Sequence, residues 1–141
     1  MMQPHNWTAL FLAAAAAWIF GALWYGVLGK IWVAAQGETM DTLKVKNAGK
    51  SAAAKAAPFV ISFIAEIMMA AALSGIMVHS GFNTARQGAI AGALSWLGFV
   101  LTTILVNNAY TFRSLKLTVI DAGHWLGVLV IIGAIVGWMG V

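Results

Sequence analysis

The sequence predicts an all-α fold, an integral membrane bundle of four transmembrane helices, and three observations predict it. Of 141 residues, 62% are hydrophobic and 9% charged, where a soluble domain carries about 25% charged residues. Long apolar segments recur along the chain, each near the roughly 20 residues that a helix needs to cross a bilayer. Lys and Arg gather in alternate connections between those segments, the pattern of the positive-inside rule.

The elements follow in order. Spans are expected over 7–29, 58–78, 87–106 and 117–139, as one transmembrane domain covering 1–141. In the first, Trp18, Tyr25 and Trp32 stand at heptad spacing and share a helix face. Its alanine run, Ala13 to Ala17, lacks the basic n-region and short h-region of a signal peptide, so no cleavage is expected. The connection 30–57 is the one long polar stretch and carries Lys44, Lys46, Lys50 and Lys55. Two readings fit it: a solvated basic loop, or, from Met40 to Ala57, an interfacial helix whose lysines meet anionic lipid head groups. Pro58 suits the first turn of the second span, where its missing N–H is no loss. His79 to Thr84 is turn-rich. Arg86 or Gln87 opens the third span, and Asn107 to Lys116 leads to the fourth.

Charge sets the expected orientation. The first and third connections hold seven of the eight basic residues, and Arg86 alone falls elsewhere. Both basic connections are therefore expected in the cytoplasm, and both termini, with His5 and His79, outside. The net charge of +4 is accounted for by this bias, so no nucleic-acid partner is expected. Without cysteine there is no disulfide, thiolate metal site or cysteine nucleophile.

Small residues recur four apart: Gly88 and Gly92, Gly123 and Gly127, Gly133 and Gly137, with Ala71 and Gly75 continuing the theme. Such spacing lets helix backbones approach closely. It serves packing inside the bundle or, as the sharper alternative, a seam between two copies.

The polar residues converge on one end. Asp121 and His124, three apart on one face of the fourth span, break an otherwise apolar run. A carboxylate at the centre of a bilayer helix costs roughly 2.5–3.5 kcal/mol on insertion scales. Glu66 in the second span, Tyr25 near the end of the first and Asn107 near the end of the third fall in the same expected half. They define a candidate ligand or proton pocket of Tyr25, Glu66, Asn107, Asp121 and His124, open to the cytoplasm. Glu66 is the most functional candidate, since such a group can exchange a proton or pair with a cation. Structural roles stand beside it: Asp121 capping its helix or pairing with Arg113 or Lys116, and Glu66 bonding to His124 or a neighbouring helix. Residue type alone would allow a metal at Glu66, Asp121 and His124, but no spacing supports one, and no haem ligand set, phosphate loop or catalytic triad is found. No cofactor and no enzyme activity are expected. Trp7, Trp32 and Trp138 fit interface belts, and Trp18, Trp24, Trp96 and Trp125 lie deeper.

Three motifs are familiar together. Gly21-Ala22-Leu23-Trp24-Tyr25-Gly26 with Leu28-Gly29-Lys30-Ile31-Trp32, then Trp96-Leu97-Gly98-Phe99-Val100, then Leu117 with Ile120-Asp121-Ala122-Gly123-His124, resemble a small bacterial membrane-protein family, the domain of unknown function 1761. The resemblance covers nearly the whole chain. It implies four spans in the bacterial inner membrane and no particular reaction.

Two functions fit this reading. The first is a small transporter-like or ligand- or lipid-binding protein using the cytoplasm-facing pocket, where transport would call for a homo-oligomer. The second is a non-catalytic accessory subunit or assembly factor of a larger membrane complex, its polar residues serving as glue between helices.

Overall fold

The computed structural model describes residues 6–140; the expected outward placements of His5 and of the two chain ends lie outside the described residues. Among these residues there are five helices and no strand: α1 (Trp7–Ala35), α2 (Met40–Ala48), α3 (Ala52–Ser80), α4 (Ala85–Tyr110) and α5 (Leu115–Met139). All but α2 are long and apolar enough to cross a membrane.

The helices outrun the expected spans because alanine and good caps extend them into the connections. Most of the stretch 30–57 is helical. α1 continues to Ala35, α2 occupies Met40–Ala48, and α3 begins at Ala52. Ser51 caps α3 by accepting from the Ala54 N–H, and the alanines that follow are the strongest helix formers. Pro58 is therefore not in the first turn of α3 but inside the helix, where it removes the N–H that would bond the Ala54 carbonyl. Thr39 caps α2 reciprocally with Thr42. Glu38 accepts from Lys46 Nζ and from Thr42 Oγ1, and these bonds hold its carboxyl below the ordinary glutamate value, the Lys46 contact contributing most. α2 buries no residue. Lys44 lies 3.9 Å from Asp41, both well exposed, a pairing worth little.

The four long helices run up, down, up and down. Asn6 at the start of α1 donates to the Met139 carbonyl, and Ser114 at the start of α5 donates to the Ala35 carbonyl, so these two helices are antiparallel and tied at both ends. Gly88 meets Gly133 and Gly92 meets Leu129, which sets α4 antiparallel to α5. Leu73 reaches Gly133 and Met77 reaches Gly137, so α3 runs parallel to α5.

The last helix is the hub. It touches all three other long helices and is the most buried of them. Val128, Ile132 and Val136, four apart, form its inner ridge, against Leu10 of α1 and Leu73 of α3. Ile19, Leu23 and Val27, also four apart, form an exposed stripe on α1. Such a stripe is compatible with contact to lipid tails, where helix association would rest on close packing.

Glycine provides that packing. A Cβ on Gly88 or Gly133 would overlap the other's carbonyl, and one on Gly92 or Gly137 would overlap the carbonyl of Leu129 or Thr84. Gly123 and Gly127 instead receive the rings of Trp24 and Phe20 from α1. All six glycines are thus filled within the chain. Gly75 is different: nothing lies within 4 Å of its Cβ position.

α4 contains a π-helical turn over Trp96–Leu101. Thr102 Oγ1 donates to the Gly98 and Phe99 carbonyls and Thr103 Oγ1 to the Phe99 carbonyl, satisfying oxygens in the widened turn. Beyond it, no residue of α4 is buried.

Candidate functional site

The site begins with small residues on α1. Gly21 is the middle residue of that helix and Glu66 the middle residue of α3. At 1.5 Å per residue, Glu66 lies about 21 Å from either helix end. Because α3 begins at Ala52 rather than Pro58, Glu66 is central in its helix. On α1, Ala22, Gly26, Gly29 and Val33 follow one another on one face, and nothing lies within 4 Å of a Cβ at Gly26 or Gly29. The missing side chains leave a cleft between α1 and α3 of about 620 Å³. Drug-sized ligands occupy cavities of roughly 300–1,000 Å³.

The cleft runs from Met40 of α2, past Trp32 and Pro58, to Glu66 and His124 at mid-helix. Its wall is mainly aromatic and aliphatic. Trp18 spans it, donating its indole N–H to the Phe59 carbonyl at 3.1 Å and to Ser62 Oγ at 3.2 Å, with its ring edge-on to Phe59 and Phe63.

Two ionisable side chains close the inner end. Glu66 is 2% exposed and its Oε2 has no hydrogen-bond partner. His124 is 6% exposed and its Nδ1 has none either. No bond joins the two, so the expected Glu66–His124 contact is not what holds either in place. Rings hold the imidazole instead: Phe20 stacks on it at 6.2 Å, Tyr25 tilts over it at 4.9 Å and Trp125 meets it edge-on at 4.8 Å.

Asp121 lies behind the wall. Its Oδ1 accepts from Tyr25 Oη and from Trp32 Nε1, both at 2.8 Å. Neither Arg113 nor Lys116 pairs with it, and the cap of α5 is Ser114, which accepts from the Leu117 N–H. Both structural roles expected of Asp121 are thereby replaced. Tyr25 joins the two polar centres, its ring against His124 and its hydroxyl on Asp121. Further indoles grip the backbone beside them: Trp24 Nε1 donates to the Ile120 carbonyl at 3.2 Å, and Trp96 Nε1, at the start of the π turn, to the Ala122 carbonyl at 2.8 Å.

Of the five expected pocket residues, Tyr25, Glu66 and His124 line one cleft. Asp121 supports it from behind, and Asn107 does not line it. Asn107 belongs to the part of α4 beyond the π turn, where the adjacent Asn108 bonds Thr118 Oγ1. Because Asp121 faces Tyr25 and Trp32, the three-residue metal set does not assemble; among the described residues no group of three His, Asp or Glu could hold a metal ion. Trp18, expected among the deeper tryptophans, is a wall residue; sequence reasoning missed Trp32, assigning it to an interface belt, although its heptad spacing with Trp18 and Tyr25 was the available signal. It also missed Pro58 and Phe59, whose place in the cleft follows from the longer α3.

A family model described as a protein of unknown function, DUF1761, matches residues 8–137, and the chain belongs to that family. No curated protein and no solved structure matches it.

Proposed function

We propose that this chain is a multi-pass membrane protein that binds a small ligand in the α1–α3 cleft, and that Glu66 is the group the ligand satisfies. One observation carries the reading: the cleft ends on Glu66 Oε2 and His124 Nδ1, both buried and neither hydrogen-bonded. An unsatisfied buried polar atom costs about 1–3 kcal/mol. Polar residues acting only as glue between helices would bond across the interface, and these do not.

Seven of the eight basic residues sit in or beside the connections at the α2 end, which by the positive-inside rule faces the cytoplasm of a bacterial inner membrane. The cleft then opens inward. Lys50 and Lys55, which join no ion pair among the described residues, are the better anchors for anionic head groups than Lys44 and Lys46.

Native mass spectrometry of the protein, extracted gently from its own membrane, tests the reading. A bound small molecule or lipid of defined mass, absent from a Gly29→Leu variant that fills the cleft, is the expected result. Stoichiometric release with other membrane subunits and no such adduct would make the chain an accessory subunit instead.

A further inference from the structure

We infer that the ligand is a lipophilic cation, its positive centre at Glu66 and its apolar body between Trp18, Tyr25 and Phe59. This assignment rests on reading the cleft as a ligand site. It follows from an inventory of the wall.

Apart from the His124 imidazole, whose Nδ1 has no partner, the donors of the wall are already committed. Trp18 Nε1 donates to Phe59 and Ser62, the Ser62 hydroxyl to the Phe59 carbonyl, and Tyr25 Oη and Trp32 Nε1 to Asp121. No Lys or Arg lines the cleft. A ligand therefore finds ring faces and a carboxyl oxygen, with the imidazole beside it. An anion would meet Glu66 with no compensating charge. A purely apolar molecule would leave Oε2 unsatisfied in a low-dielectric site. A cation offers Glu66 an opposite charge and gains from the aromatic faces through cation–π attraction.

The test is a charge-reversed pair of probes of one shape, tetraphenylphosphonium and tetraphenylborate, added to the full chain in phosphatidylcholine nanodiscs. Binding is read from tryptophan fluorescence, and only signal abolished by Gly29→Leu counts as cleft binding. The phosphonium is expected to saturate the cleft and the borate not to. Glu66→Gln is expected to weaken the phosphonium by roughly tenfold or more, the loss of one coulombic attraction between carboxylate and cation. Glu66→Asp, which keeps the charge, should retain more affinity than Glu66→Gln and guards against misreading a folding defect.

Equal binding of both ions, or undiminished phosphonium binding by a folded Glu66→Gln protein, would overturn the cation assignment. So would failure of both probes to enter. The mass-spectrometric adduct and its sensitivity to Gly29→Leu then decide separately whether the cleft binds a ligand of another class.

Discussion

Gly21 stands directly against His124: a Cβ on the glycine would lie 2.8 Å from the imidazole Nε2. Phe20, Tyr25 and Trp125 flank the ring and limit its movement away from the helix. Gly21→Ala should therefore destabilise the protein by about 1–3 kcal/mol, the usual cost of overpacking, despite alanine's higher helix propensity. Thermal unfolding in detergent measures this. A variant as stable as the parent would show that the ring has room to move.

The glycines should fall into two classes. At Gly88 an added methyl meets the Gly133 backbone, which cannot move without parting α4 from α5. Gly88→Ala should cost about 3 kcal/mol or more. At Gly26 and Gly29 the same methyl enters open space. Alanine there should be neutral or stabilising by about 0.5–1 kcal/mol. Comparable losses at all three sites in a melting series would refute this division.

Asp121 should act through acceptance, not charge pairing. Asn keeps one acceptor oxygen, so Asp121→Asn should be tolerated better than Asp121→Ala, which strands Tyr25 Oη and Trp32 Nε1. Leaving such groups unpaired costs about 1–3 kcal/mol each. A double-mutant cycle with Trp32→Phe should show coupling between the two positions. Strict additivity would mean that the indole bond contributes nothing.

The turn before α2 should be sensitive to acid. Glu38 titrates below its ordinary value because Lys46, and then Thr42, bond its carboxylate. A folded value below the unfolded one means that the bond stabilises above the unfolded value and that this contribution fades as pH falls through the folded one. The Glu38 carboxyl carbon shift, followed by NMR, should give a midpoint below that of the same residue in Lys46→Ala. Coincident midpoints would leave the contact without effect in solution.

Much of the fold was legible because long apolar helices advertise themselves by length and composition. The four apolar runs and the spaced glycines are local patterns, and each reappears as a helix or a contact. The polar connection was misjudged where local signals competed: Pro58 argues for a helix start, and Ser51 with six helix-favouring residues before the proline argues for an earlier one. The earlier start prevails, moving Glu66 to mid-helix.

By itself the sequence determined which residues enter helices, which charges gather at one end and which polar side chains are costly to bury, since these depend on composition and on period along one chain. Only the tertiary structure decided who meets whom. Asp121 has cationic neighbours in sequence yet binds Tyr25 and Trp32, because α1 runs antiparallel to α5 and brings those side chains to it. Glu66 and His124 share a cleft without bonding, and Asn107 is left out, because the crossing of helices far apart in sequence sets such distances, and no local spacing records it.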